Sequence, residues 1–337
     1  MASLSPRAIW NLSEEGLLDL LDSKILVKLP RRVQFYAPSF TYYKTAHFCS
    51  SSKDFPTISV TGSSCALNCK HCGGKVLETM HSADTPEKLL RLCAELKRNG
   101  AKGILVSGGC LPDGSVPLEK FIPVLAKIKN DMDITTFVHT GTLDFETAYQ
   151  LKKAKIDAAL IDIVGSDDTI SEIYNLTLTT KDYAESLKAL QQAGLNFVPH
   201  VITGLHHGKL KGELKALEMV AQYRPAAIVI ISFMPIYGTA MAKTKPPAPT
   251  EIARTTATAR AMFPNTPLVL GCMRPKKCRT ETEVLAMNAG VDAMVFPSEE
   301  AIRYAEREGY KVAYSSYCCA QIYKDFTTMW PRTPFEV

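Results

Sequence analysis

Residues 57–75 read TISVTGSSCALNCKHCGGK. The opening TISVT is rich in β-branched residues and predicts a strand, and the loop after it presents Cys65, Cys69 and Cys72 in the spacing C-x3-C-x2-C. A tight loop with that spacing can aim three thiolates at three corners of a small cube. A structural zinc ion would require a fourth ligand, whereas a [4Fe–4S] cluster held by three cysteines keeps one iron open to an outside ligand. Gly73 and Gly74 let the chain turn immediately after the last of the three.

From this strand onward, short β-rich apolar runs alternate with longer amphipathic stretches. The predicted strands are 57–61, 103–106, 134–139, 158–163, 197–202, 227–233, 267–271 and 293–296. Pro86–Arg98 predicts a helix, with proline in its first turn, Leu89, Leu90, Cys93 and Leu96 on one face, and Gly100 just past its end. Tyr183–Gln192 is a second clear helix. Eight such units suit an α/β fold of the (βα)8 TIM-barrel type, with chemistry at the C-terminal strand ends. A doubly wound open sheet is the competing arrangement. The predicted organisation is an N-terminal extension (1–55), helical over Glu14–Asp22 and placed across the barrel mouth, then the barrel (56–312), then a C-terminal tail (313–337).

The chain has 337 residues, 46% of them hydrophobic, which is enough for a large core. Its 39 basic and 34 acidic residues leave a net charge of +5 without long single-sign blocks, so nothing argues for nucleic acid as a partner. The opening residues lack the features of a signal peptide and no window is long enough to span a bilayer, so the expected location is cytoplasmic, away from membranes. In that compartment the ten cysteines are expected to be reduced, and clustered ones read as metal ligands.

The cysteine spacing, its place after the first strand and the VSGG ending of the second strand resemble the radical S-adenosylmethionine (SAM) superfamily. The resemblance implies a [4Fe–4S] cluster on Cys65, Cys69 and Cys72, with SAM chelated to the open iron and split reductively to a 5′-deoxyadenosyl radical. It also implies that Ser107, Gly108 and Gly109 receive the SAM amino group and that Asp162 meets the ribose hydroxyls. The stretch HVITGL at the fifth strand would touch adenine. His71 stands where the family often has an aromatic residue, and could stack on the adenine. His139 and His200, both at strand ends, are candidate SAM or substrate contacts. No acid–base or nucleophilic residue is assigned.

The remaining cysteines are not equivalent. Cys93 lies on an apolar helix face and reads as core, and Cys110, after the glycine pair, is ambiguous. Cys272 and Cys278 flank GCMRPKKC after the seventh predicted strand, Cys318 and Cys319 sit in YSSYCC, and Cys49 ends the aromatic stretch FYAPSFTYYKTAHFC. These five are candidate ligands of a second, auxiliary Fe–S cluster, with scattered reduced thiols as the alternative. Arg274, Lys276, Lys277 and Arg279 are a solvated loop, a charge balance for thiolates, or a contact for an acidic carrier.

From residue 30 onward the chain is similar to the biotin synthase and lipoyl synthase branch. FYAPSF, GSSCALNCKHCGGK, IDIVGSDDTI and LGCMRP look like the archaeal-type two-component lipoyl synthase. That resemblance implies hydrogen abstraction from C6 or C8 of an octanoyllysine and attack of the carbon radical on a bridging sulfide of a sacrificial auxiliary cluster. It implies as partners an octanoylated lipoyl carrier protein or peptide, a sister radical SAM protein, and a reductant such as ferredoxin or flavodoxin. Two other readings stand beside it: a biotin synthase-like or other cofactor-assembly enzyme, and a non-catalytic Fe–S partner subunit.

Overall fold

The computed structural model describes residues 4–328. Its strands are β1 (Arg32–Tyr36), β2 (Thr57–Ser59), β3 (His81–Ser82), β4 (Gly103–Ser107), β5 (Thr135–His139), β6 (Ala158–Ile163), β7 (Phe197–Thr203), β8 (Ile228–Ser232), β9 (Leu268–Leu270), β10 (Ala293–Val295) and β11 (Lys311–Ser315). The helices are α1 (Pro6–Trp10), α2 (Glu14–Asp22), α3 (Pro86–Arg98), α4 (Ile122–Met132), α5 (Phe145–Lys153), α6 (Asp167–Tyr174), α7 (Thr180–Gln192), α8 (Glu213–Val220), α9 (Pro249–Met262), α10 (Arg279–Asn288), α11 (Glu299–Arg307) and α12 (Ile322–Thr328). None is long and apolar enough to cross a membrane.

All strands join one parallel sheet in the order β11-β1-β10-β9-β8-β7-β6-β5-β4-β2-β3, curved into a TIM-like half-barrel with helices around it. Each of the eight predicted strands forms. The N-terminal extension, however, is not only a cover for the mouth. Its strand β1 lies inside the sheet, pairing Gln34 with Ala293 on one side and with Ala313 on the other. The boundary expected near residue 312 likewise falls inside β11. Among the described residues no ladder joins β11 to β3, so the sheet stays open along that seam.

Alternation along the strands separates two cores. Outward residues such as Ile104, Val106, Ile161 and Ile163 pack beneath the helices, while Tyr36, Phe137, Leu160, Val198, Val229, Val269 and Val295 fill the interior. The tail enters that interior: Cys319, Ala320 and Ile322 are buried among these side chains, and the Tyr317 ring lies 5.9 Å from Phe55, across the seam. α12 is tied down where Tyr36 Oη donates to Asp325 (2.7 Å), Tyr323 Oη donates to the Asp157 carbonyl (2.9 Å), and Lys324 bonds the Asp157 carboxylate. Asp157 also accepts from Lys129 Nζ (2.6 Å) and Thr136 N (2.7 Å). The part of the predicted tail from 329 to 337 lies outside the described residues.

Candidate active site

The cysteine loop leaves β2 and is moored at every side. Thr61 Oγ1 donates to the Ser64 carbonyl (2.9 Å) and accepts from Gly109 N (2.7 Å). Ala66 N donates to Cys110 O (2.9 Å), Lys70 N to Ile173 O (2.9 Å), and Asn175 Nδ2 to Leu67 O (2.9 Å). Asn68, Gly73 and Gly74 all have positive φ, so the turn after Cys72 uses the backbone freedom expected of its glycines. Gly109 is required for a different reason. A Cβ there would lie 2.0 Å from Ser64 O and 2.6 Å from Cys65 Cα, so the glycine lets the β4 loop pack directly on the cysteine loop.

The sulfurs of Cys69 and Cys72 and a ring nitrogen of His71 lie within 4.8 Å of one another. Their protons are shared unequally. A hydrogen bond between the two thiols, with help from His71, pulls Cys72 down, while the same bond and burial push Cys69 up. The Cys69 thiol also donates to Tyr174 O at 3.8 Å. Cys65 lies outside this 4.8 Å group but lines the same cavity and acts on the electrostatics of both Cys69 and Cys110.

These thiols open onto a cavity of about 260 Å3, lined also by His71, Ser107–Cys110, His139, Asp162, Tyr174 and Tyr183. Two of its polar atoms, Tyr174 Oη and His71 Nδ1, are buried without a partner, and an amphiphilic ligand could satisfy them. Soft thiolates in a three-point set, a glycine-bearing strand end beside them and unmet polar atoms fit a three-cysteine cluster with SAM bound against it.

Asp162, His139 and His200 meet across the adjacent strands β6, β5 and β7, with ligand atoms all within 4.8 Å; His200 lies in the middle of β7, not at the strand end expected for it. His139 Nε2 stands 3.5 Å from Asp162 Oδ1. Burial opposes the charge of Asp162, but His139 and His200 hold its carboxyl below the ordinary value. Burial drives His200 down to about 4, and its Nδ1 sits 3.1 Å from Val198 O, a contact that places the proton on Nδ1 and leaves Nε2 free. Of HVITGL only His200 reaches this group. Gly204 packs instead against Pro247 and donates to Glu213 Oε1 (2.8 Å), and burial pushes Glu213 up to about 7. Tyr174 was not legible as a site residue, because it occupies a buried helix position that reads as core.

Beside the first cavity lies a larger one of about 620 Å3, whose lining shares Val76, Met80, Ser107 and His139 with it. Leu105, Met234, Met273, Phe40 and Phe296 make this second cavity largely apolar, and Cys272 stands in its wall. Cys272 is close enough to Cys318 and Cys319 for their charges to act on one another: burial and Cys318 push Cys272 up to about 11. Cys318 is pulled down by a hydrogen bond with Cys319, which is pushed up by it. Cys272, Cys318 and Cys319 share the interior cluster, but their three sulfurs do not all lie within 4.8 Å of one another as those of a preformed metal site would. Cys49 is exposed, its thiol donating to Ser50 O at 3.8 Å, and Cys278 occupies the N-cap of α10 beyond the Pro275–Lys277 turn. Arg274 is neither solvated nor free. It is buried against Glu283 and donates to the Gly271 (2.8 Å) and Phe296 (2.9 Å) carbonyls, fixing the strand ends beside Cys272. Cys93 is core, as expected.

Residues 59–216 match the model of the Radical SAM superfamily. Similar curated proteins include biotin synthase of Coxiella burnetii (27% identical over 276 residues, 78% of this chain and 83% of the relative) and biotin synthase of Aromatoleum aromaticum (25% over 304 residues, 86% and 87%). Among solved structures, the [FeFe]-hydrogenase maturase HydG superposes with a TM-score of 0.66 at 17% identity, covering 96% of this chain and 75% of that one. Methylornithine synthase (PylB) superposes with 0.62 at 15%, covering 91% and 93%. With the thiol triad, the strand order and these relatives in agreement, residues 59–216 form a domain of the radical SAM superfamily, a family that binds a [4Fe–4S] cluster and SAM, and the chain is similar to the branch that contains biotin synthase.

Proposed function

We propose that this enzyme inserts sulfur at an unactivated carbon of an apolar chain, and that the chain is an octanoyl group on a carrier lysine. The observation that carries the reading is one apolar cavity with the SAM-side residues Ser107 and His139 on one wall and Cys272, backed by Cys318 and Cys319, on another. When bound, the first cluster and SAM supply a 5′-deoxyadenosyl radical that takes a hydrogen atom, and a second cluster on the interior thiols supplies the sulfur.

The protein's own part is positioning. Cys65, Cys69 and Cys72 would hold the first cluster, the Ser107–Gly109 backbone and Asp162 would orient SAM, and His71 would face its adenine. Cys272, Cys318 and Cys319 would hold the auxiliary group, with Cys49 and Cys278 left as outer thiols. His139, shared by both cavities, would sit between SAM and substrate. In the wall of the apolar cavity Phe40 packs edge-on (5.3 Å) and Tyr43 tilted (5.6 Å) against the Phe296 ring, and the three would exclude water from a reactive carbon. A ferredoxin or flavodoxin would supply the electron, and a sister radical SAM protein would share the work.

The curated relatives favour a second reading, a biotin synthase-like enzyme acting on a small precursor, and on names alone they support it better. The substrate separates the two. Reconstituted enzyme should convert an octanoyl-lysyl peptide to products heavier by sulfur in mass spectrometry and leave dethiobiotin unchanged; the reverse result would give the biotin-like reading its place. Iron should be roughly eight per chain, falling to about four when Cys65, Cys69 and Cys72 become alanine and to about four when Cys272, Cys318 and Cys319 become serine. Four irons in wild type, unchanged by the second set, would remove the sulfur donor and with it both sulfur-insertion readings.

A further inference from the structure

The loops that follow β7, β8 and β9, residues 204–212, 233–248 and 271–278, contain no aspartate or glutamate. They carry Lys209, Lys211, Lys243, Lys245, Arg274, Lys276 and Lys277. Arg274 is buried against Glu283, and Lys211 pairs with Asp168 at 2.6 Å. Lys209, Lys243, Lys245, Lys276 and Lys277 are exposed and have no ion-pair partner among the described residues. Because β7, β8 and β9 are sheet neighbours, their loops form one continuous sector of the barrel mouth. The loops after β4 and β5 have the opposite character, with exposed Asp113 and Asp144, and α6, which follows β6, opens with exposed Asp167 and Asp168. The mouth thus changes from acidic to basic between the neighbouring strands β6 and β7, where Lys211 meets Asp168, in a chain whose overall charges nearly balance.

The basic sector adjoins the substrate cavity itself, since Lys276 and Arg279 stand in the lining with Phe40 and Tyr42. Two large side chains on the same face are uncovered: Tyr237, on the β8 loop, is 95% exposed, and Tyr42 is 78% exposed. Exposed tyrosines beside unpaired lysines combine the aromatic anchors of protein interfaces with a field that steers an acidic surface into register. A free small precursor would need neither.

We propose that this sector is the docking face for an acidic protein domain that carries the substrate on a lysine side chain and delivers it into the cavity. The proposal rests on the carrier-borne octanoyl reading above and deepens it by assigning the surface. An occupant that did not carry substrate, such as a second barrel, would close the cavity's entrance. The lysines therefore supply the attraction, the acidic half of the mouth repels the partner and sets its orientation, and Tyr42 and Tyr237 pack against it.

The test is binding of an octanoylated, acidic lipoyl carrier domain to reconstituted full-length protein, by fluorescence anisotropy at low and physiological salt. Lys209, Lys243, Lys245 and Lys277 are changed together to Glu; Lys152, Lys153, Lys181 and Lys215, on the outer helices, are changed as the control. The expected result is wild-type binding that weakens with salt, a loss of roughly tenfold or more in the first variant, and no comparable loss in the control. Iron content and circular dichroism confirm that each variant is folded and loaded. Equal affinity of the first variant and wild type, equal loss in the control, or no binding of the carrier by wild type would each overturn the proposal. The carrier reading is scored separately by turnover of the octanoyl-lysyl peptide, which needs no docking face: peptide turnover without lysine-dependent carrier binding retains the reading and discards the surface.

Discussion

Gly109 shows how much a single position can carry. The Ser-Gly-Gly segment was expected to open backbone to SAM, and in the fold the second glycine also lets two loops touch, because Ser64 O and Cys65 Cα occupy the space a methyl group would take. Gly109→Ala should therefore displace Cys65 before it affects any ligand contact. The expected outcome is a stability loss of about 1–3 kcal/mol in denaturant unfolding, with iron loading cut by more than about half, and unchanged loading would show that the loops can separate freely. The three thiols of this site were legible because their spacing is local. Tyr174 was not, since only packing reveals that a phenol in an amphipathic helix has an atom left unpartnered.

At the scale of elements, the tail acts as a plug. Just after Cys318 and Cys319, which lie in the interior, α12 is anchored by Tyr36 to Asp325 and by Tyr323 and Lys324 to Asp157. Burial works against ionised Asp157, yet Lys129 and Lys324 hold its carboxyl below the ordinary value. A depressed carboxyl stabilises the fold at pH values above its unfolded pKa and loses that contribution as pH falls through the folded one. Asp157→Asn should thus cost about 1–3 kcal/mol at pH 7, with the difference from wild type shrinking once the pH drops below about 4. Urea unfolding at pH 7 and near pH 3 would measure it, and a difference that grows on acidification would contradict the assignment. The two lysines come from α4 and the tail, 195 positions apart by subtraction of their residue numbers, so neither pattern nor spacing could pair them.

For the whole molecule, the position of β1 is the feature with the widest consequence. A chain beginning at Lys53 would retain every strand predicted for the barrel, but lose the strand to which both β10 and β11 are bonded. Such a chain should give no cooperative thermal transition and rapid proteolysis in the β10–β11 region, whereas a folded, cluster-loaded product would show that the first 52 residues are an appendage. The same sheet forms the TIM-like half-barrel, whose C-terminal strand ends hold the candidate site.

Local order along the chain was enough to determine the cysteine loop, the eight βα alternations, the helices Glu14–Asp22 and Pro86–Arg98, and the class of the cofactors, because each of these is encoded over a few turns or a few residues. Which distant segments meet was decided by the tertiary structure alone. β1 found its place between β10 and β11, Cys318 and Cys319 came from the tail to pack in the same interior cluster as Cys272, and the loops after the neighbouring strands β7, β8 and β9 were set side by side. Those outcomes depend on how a curved sheet brings its strand ends and its tail together, and no short-range periodicity carries that information.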